Sequence, residues 1–224
     1  GKVVVVKERI RRGKSASVAR AMRELEDCDA IVLVSADVVP EKGFLSRLLS
    51  PLRDERVGAT CCRPVPLDDT STFCGFFQNI VWSLHHKVCL SSPKCGEAMA
   101  FRNVVDGPPP DVIADESYIE MCVKRAGYEV RYCPGAVVRN RGPTSAFELF
   151  EQRRRVFAGH VQMMMRYGYA VSTLSVSRVA SAMVKALRTM GFREAPRLAF
   201  AVAFEAMARI AGAASYLLGF RSPM

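Results

Sequence analysis

The sequence predicts the α/β class: a mostly parallel sheet flanked by helices over residues 1–169, and a helical extension over 170–224. Three observations predict it. Short, wholly apolar runs (Val3 to Val6, Ala30 to Val34, Val57 to Cys62) alternate with amphipathic stretches, the rhythm of a sheet covered on both faces. The links between these runs are short. At 224 residues the chain is long enough for one such domain and a modest appendage.

Each element has a local reason. After the valine run, a basic loop pivots at Gly13, and Ser15-Ala16-Ser17 offers a helix start with Val18, Ala19, Met22 and Leu25 as its apolar stripe. Ala30 to Val34 is too short and too β-branched for a helix. Pro40 precedes a helix over about 41–52, and Val57 to Cys62 is the third strand. The rhythm then changes. Phe73 to Leu90 reads as an aromatic-rich helix, Glu97 to Arg102 as a short strand, and Pro108-Pro109-Pro110 as a loop. A helix ending at Arg125 is closed by Gly127 in the left-handed conformation that glycine favours. Val130 to Cys133 and Ala136 to Arg139 read as two short strands, and a long helix runs from about Ala146 to Tyr167.

The character changes after Tyr169. Over Leu174 to Met190, Val176, Val179, Met183, Leu187 and Met190 line one face, opposite Arg178, Lys185 and Arg188. That is a basic amphipathic helix of the kind that lies on membranes or packs on its own domain. Leu198 to Phe220 is apolar except for Glu205 and Arg209, spaced to pair four residues apart, and is long enough to cross a bilayer. Two ionisable groups near its middle cost about 2.5–3.5 kcal/mol each on insertion scales, so an interfacial placement competes with a spanning one.

Composition narrows the partners. Hydrophobic residues make up 50% and charged residues 24%, which excludes wholesale disorder. The net charge of +10 favours an anionic partner. The basic residues are spread over several elements with no binding motif beside them, so nucleic acid is not expected. Eight cysteines form no C-x-x-C pair and sit mostly in apolar runs, which fits free thiols in a reducing compartment. His85, His86, Cys89 and Cys95 match no common zinc spacing.

Three features carry chemistry. Asp37 follows the strand Ala30 to Val34 at its carboxyl end, where open α/β sheets bind ligands, and one carboxylate there can help hold Mg²⁺ or Mn²⁺ on phosphate oxygens. Such an aspartate is by itself also an ordinary turn residue. Asp115 and Glu116 open a helix, where the dipole favours acids and where a carboxylate can act as general base. Gln152, Arg153 and Arg155 lie on the long helix, where one or two inward guanidinium groups could neutralise a pyrophosphate.

The joint order of these segments resembles the family 2 glycosyltransferases, from about Gly1 to Gly168. Arg12-Gly13-Lys14-Ser15-Ala16-Ser17 looks like the family's basic R-G-K-x-x-A/S step, and Val34-Ser35-Ala36-Asp37 stands at its D-x-D motif. The segment from Cys95 through Gly96 to Phe101-Arg102 is similar to the acceptor-lining stretch, and Asp115-Glu116 to the acidic pair whose second member is the base. Glu116 lies eleven residues before Gly127, as in the family, and Gln152 to Arg155 is similar to Q-x-x-R-W.

The resemblance implies a GT-A-like fold and a metal-dependent, inverting transfer of sugar from a nucleotide-diphosphate-sugar to a lipid-linked or glycan acceptor, at the cytoplasmic face of a membrane. It assigns Asp37 to the metal, Glu116 (then Asp115) to base catalysis, and Lys14, Gly96, Arg102, Gln152, Arg153 and Arg155 to substrate and leaving group. Ser35 replaces the first D-x-D acid, Val156 the tryptophan, and the family's first strand and nucleotide pocket are expected upstream of Gly1. A nucleotidyltransferase and a non-catalytic binding module are the alternatives.

Overall fold

The structure, a computed structural model, describes residues 5, 7, 10, 12–25, 27–172 and 194–219. The strand expected over 3–6, of which only Val5 is described, and the amphipathic helix expected over 174–190 lie outside these residues.

In chain order the elements are α1 (Lys14–Glu24), β1 (Ala30–Val34), β2 (Val38–Pro40), α2 (Phe44–Leu49), β3 (Val57–Pro66), α3 (Phe73–Cys89), β4 (Ala98–Arg102), α4 (Asp115–Arg125), β5 (Glu129–Asn140), α5 (Ala146–Tyr167) and α6 (Ala195–Leu217). The helix expected over 41–52 is shorter: Pro51 and its neighbours form a 3₁₀ turn (Ser50–Arg53) after α2. The strands form one sheet in the order β1-β4-β3-β5-β2.

That sheet is mixed, which corrects the mostly parallel expectation. β1 with β4, β3 with β4 and β2 with β5 run antiparallel, and β3 with β5 is the parallel pair. The physical reason for the misreading is plain. A strand buried on both faces is wholly apolar in either direction, so composition reports burial and not polarity of the chain. β4 shows the burial directly. Ala98 and Ala100 join the cluster under α2 with Phe44, Leu48 and Leu52. Met99 and Phe101 point the other way, into the cluster formed with Val18 and Met22 of α1 and Ile119 and Val123 of α4. The period of two sorts small residues to one face and large ones to the other.

The two short strands expected near 130–139 are one strand with a bulge. Its register on β3 jumps from Cys61 opposite Tyr132 to Arg63 opposite Val137, so the irregular residues include Pro134 and Gly135. Gly127 has φ of 88° and closes α4, with Tyr128 N–H donating to Val123 C=O at 3.2 Å.

α3, α5 and α6 make a second apolar layer around Cys74, Phe76, Phe77, Leu149, Leu198, Ala201 and Phe204. Burying Leu198 and Phe204 stabilises this contact by about 1.5–3 kcal/mol each. Gly212 lets α6 approach closely, since a Cβ there would lie 2.5 Å from the Arg154 carbonyl oxygen. Glu205 and Arg209 pair at 2.7 Å, as their spacing suggests. α6 is 23 residues long and apolar enough to cross a membrane by length and composition, yet a third of that stretch is buried against the rest of the chain.

Cys61 of β3 and Cys95, just before β4, are joined by a disulfide, with Cα atoms 4.8 Å apart. This corrects the expectation of free thiols for that pair. The antiparallel β3–β4 register brings them together, although 34 residues separate them in sequence. The other six cysteines are free. His85 contacts the Cys89 thiol, and His86 Nδ1 lies 2.8 Å from the Tyr132 hydroxyl, so both imidazoles have protein partners.

Candidate active site

Three chain segments meet beyond the carboxyl end of β1. The first is the turn Ser35-Ala36-Asp37. The second is the loop entering β4, because antiparallel pairing sets Val34 opposite Ala98 and hence residue 35 opposite residue 97. Ser35 N–H donates to the Glu97 carbonyl at 2.9 Å. The third is the start of α4, which carries Asp115 and Glu116 in its first turn.

Two anchors fix this meeting. Cys95 N–H donates to Glu120 Oε2 at 2.8 Å, pinning the loop that carries Glu97 to α4. Glu120 is fully buried and also accepts from Lys124 and the Tyr169 hydroxyl, both at 2.6 Å, so its charge is answered. The Ser15 hydroxyl donates to Val112 C=O at 2.6 Å, holding the first turn of α1 against the loop before α4. That places Lys14 over the acidic pair. Its ammonium donates to Glu116 Oε1 and lies 3.2 Å from Asp115 Oδ2.

The electrostatics follow from burial. Asp115 is 2% exposed, and burial, with the neighbouring Glu116 charge, pushes its carboxyl above the ordinary range. The Glu116 side chain keeps 18% of its surface open. Burial opposes its ionisation, but Lys14 reverses this by charge and hydrogen bond and holds Glu116 below the usual glutamate range. The Lys14 ammonium, which burial alone would lower, is raised above the ordinary lysine range by the same two acids. Glu97 is pushed up to about 7, by burial first and then by the charges of Asp37 and Glu116. Asp37 itself is exposed at the turn.

Glu97 and Lys94 were not singled out by sequence reasoning. Glu97 sits in the Cys95-to-Arg102 segment, but only the strand direction shows that it faces Ser35. Lys94 is lowered by burial while the charges of Glu120, Cys89 and Glu116 oppose that, and the Arg153 charge lowers it further.

The expected residues divide. Asp37, Lys14, Asp115 and Glu116 come together around Glu97, with Gly96 beside it; a Cβ at Gly96 would meet nothing within 4 Å. The Arg153 guanidinium is held in a two-pronged ion pair with Glu205 of α6, both contacts 2.8 Å. Gln152 accepts from Gln78 at 3.3 Å. Arg155 is exposed. Arg102 lies at the other end of β4, roughly 15 Å from residue 97 by strand rise. There it donates to the carbonyls of Leu52, Val57 and Asp54 and lines an open cavity of about 690 Å³ with Asp27, Asp29, Glu55 and Tyr128. It does not join the group around Glu97, since the antiparallel β1–β4 pairing brings the other end of β4 to Ser35.

No family model matches the sequence, and no curated protein sequence matches it. Solved structures do match. The mannosyltransferase PcManGT from Pyrobaculum calidifontis, in complex with GDP-Man and Mn2+, is 22% identical with a TM-score of 0.62, over 97% of this chain and 70% of that one. A crystal structure of a mycobacterial protein is 15% identical over 67% of this chain and 52% of that one, with a TM-score of 0.39, too low to carry an argument. The chain shares the α/β fold of that mannosyltransferase.

Proposed function

We propose that the chain is the body of an inverting glycosyltransferase, moving a sugar from a nucleotide-diphosphate-sugar to a hydroxyl or phosphate acceptor, lipid-linked or part of a glycan. The observation that carries this reading is the meeting of Lys14, Asp115 and Glu116 with Glu97 and Asp37 beyond the end of β1. The fold shared with a mannosyltransferase crystallised with its nucleotide-sugar supports it.

Glu116 is the base. It is the open member of the acidic pair, and Lys14 keeps it ionised and therefore able to take a proton. Asp115, nearly sealed from solvent, is the second choice. The acceptor oxygen, relieved of its proton, attacks the anomeric carbon from the face opposite the leaving diphosphate. Arg153 and Gln152 are assigned to the departing diphosphate, Arg153 giving up part of its pairing with Glu205 to meet it. Arg155, being exposed, is left a contact with substrate outside the cleft.

The donor set suits a hard divalent cation, Mg²⁺ or Mn²⁺: its ligands would be carboxylate oxygens, Asp37 first. When bound, such an ion supplies positive charge to the diphosphate. A membrane surface as workplace rests on the apolar α6, whose Phe200, Met207 and Ile210 are exposed, and on the basic stretch 174–190. The cytoplasmic face is our choice of side, with six free cysteines set against the one bridged pair Cys61–Cys95.

Glu116→Gln tests the assignment. It should abolish transfer, a loss of roughly 10²–10⁴-fold, while nucleotide-sugar binding persists. Retained transfer would refute the base, and products containing nucleoside monophosphate joined to sugar would point to a nucleotidyltransferase instead.

A further inference from the structure

A divalent ion on the donor diphosphate needs more than one exposed carboxylate to hold it in place. Mg²⁺-type sites use one or two carboxylates together with phosphate oxygens and water. Asp37 is alone on its turn, because residue 35 is a serine. The strand pairing offers a second oxygen donor from elsewhere in the chain. β1 and β4 run antiparallel with Val34 opposite Ala98, and the Ser35 N–H bonds the Glu97 carbonyl at 2.9 Å.

The charge balance around Glu97 points the same way. Asp37 and Glu116 both bear on it, and Lys14, the nearest cation, is engaged by Asp115 and Glu116. Asp115 Oδ2 is buried and makes no hydrogen bond; the Lys14 ammonium, 3.2 Å away, is what faces it. The region is short of positive charge. Beside Glu97 the chain is open at Gly96, leaving room for a ligand.

We propose that Glu97 and Asp37 together hold the divalent cation, with Glu97 supplying across the β1–β4 pair the carboxylate that Ser35 lacks. This rests on the transferase reading above, but it concerns how the ion is held and not which reaction follows.

The test uses Mn²⁺ alone, titrated into the full chain and followed by the paramagnetic resonance signal of the free ion. Wild type should bind one ion. Glu97→Gln should weaken binding roughly 10–100-fold, about as much as Asp37→Asn, since loss of a ligand costs at least what loss of an outer partner does. Ser35→Asp in the Glu97→Gln background should restore most of the affinity, and that recovery also shows that the single variant is folded. If Glu97→Gln binds like wild type while Asp37→Asn does not, this proposal falls and the transferase reading stands. If Ser35→Asp fails to restore binding, the cross-strand replacement is wrong. If wild type binds no Mn²⁺, or if neither carboxylate matters, this proposal falls, while the transferase reading is decided separately by Glu116→Gln.

Discussion

The two ends of β4 handle charge in opposite ways. At the Arg102 end the central charges are answered: the guanidinium takes the carbonyls of Leu52, Val57 and Asp54, while Arg56 and Arg131 hold the Asp54 carboxylate. Hydrogen bonds from those arginines pull Asp54 well below the usual aspartate range. At the Glu97 end, Asp115 and Glu116 share Lys14, Asp37 adds its charge beside Glu97, and Glu97 and Asp115 are pushed up rather than down. A balanced network rigidifies a scaffold. An unbalanced one, held in position by anchors such as Glu120, stores charge for something that arrives from outside. The same five-residue strand carries both.

Substitutions can break this contrast, and the largest effect on stability is expected at the balanced end. Arg102→Ala strips hydrogen bonds from three carbonyls and should cost about 2–4 kcal/mol, read as a lower denaturant midpoint. A change within about 0.5 kcal/mol would mean that water replaces the guanidinium easily. Next comes Lys14→Met, at the unbalanced end. Without the ammonium, Glu116 loses what holds it ionised, so the acidic limb of the pH–rate profile should move to higher pH. An unmoved limb would show that Lys14 does not tune the base.

A pair of aspartates sharpens the comparison through stability alone. Asp54 is depressed in the folded state, so its contribution is present above the ordinary aspartate pKa and fades as pH falls toward the folded value. Asp54→Asn should therefore lower the melting temperature at pH 7 and leave it unchanged at low pH. Asp115 is raised, so its contribution is full below the ordinary aspartate pKa and fades as pH rises through the elevated folded one. Asp115→Asn should be neutral at pH 4 and should raise the melting temperature at alkaline pH. Parallel curves for the two variants would erase the distinction between the two ends. The smallest effect concerns the surface: serine at Phe200, Met207 and Ile210, all exposed on α6, should reduce flotation with anionic vesicles several-fold without loss of folding.

Much of this was legible beforehand. Alternating apolar runs and helix stripes give the elements, and Asp115-Glu116 before a helical stretch marks the start of α4 on dipole grounds. Lys14 and Asp37 are readable as loop residues at strand and helix ends. What could not be read depends on direction. A doubly buried strand such as β4 has the same composition whichever way it runs, and its direction decides that Glu97, not Arg102, meets Ser35. The Cys61–Cys95 bridge is hidden for the same reason. The Arg153–Glu205 pair joins helices separated by 52 residues, and no helical periodicity reports such a partner.

Affinity cleavage tests most directly whether the chemistry lies at the Glu97 end. Fe²⁺ put in place of the divalent ion, with ascorbate and peroxide, cuts the backbone nearest to where it binds. The account predicts cuts around residues 35–38, 95–98 and 114–116, lost in Asp37→Asn. Cuts clustered instead at 27–29 and 102–104, around the cavity at the Arg102 end, would contradict it.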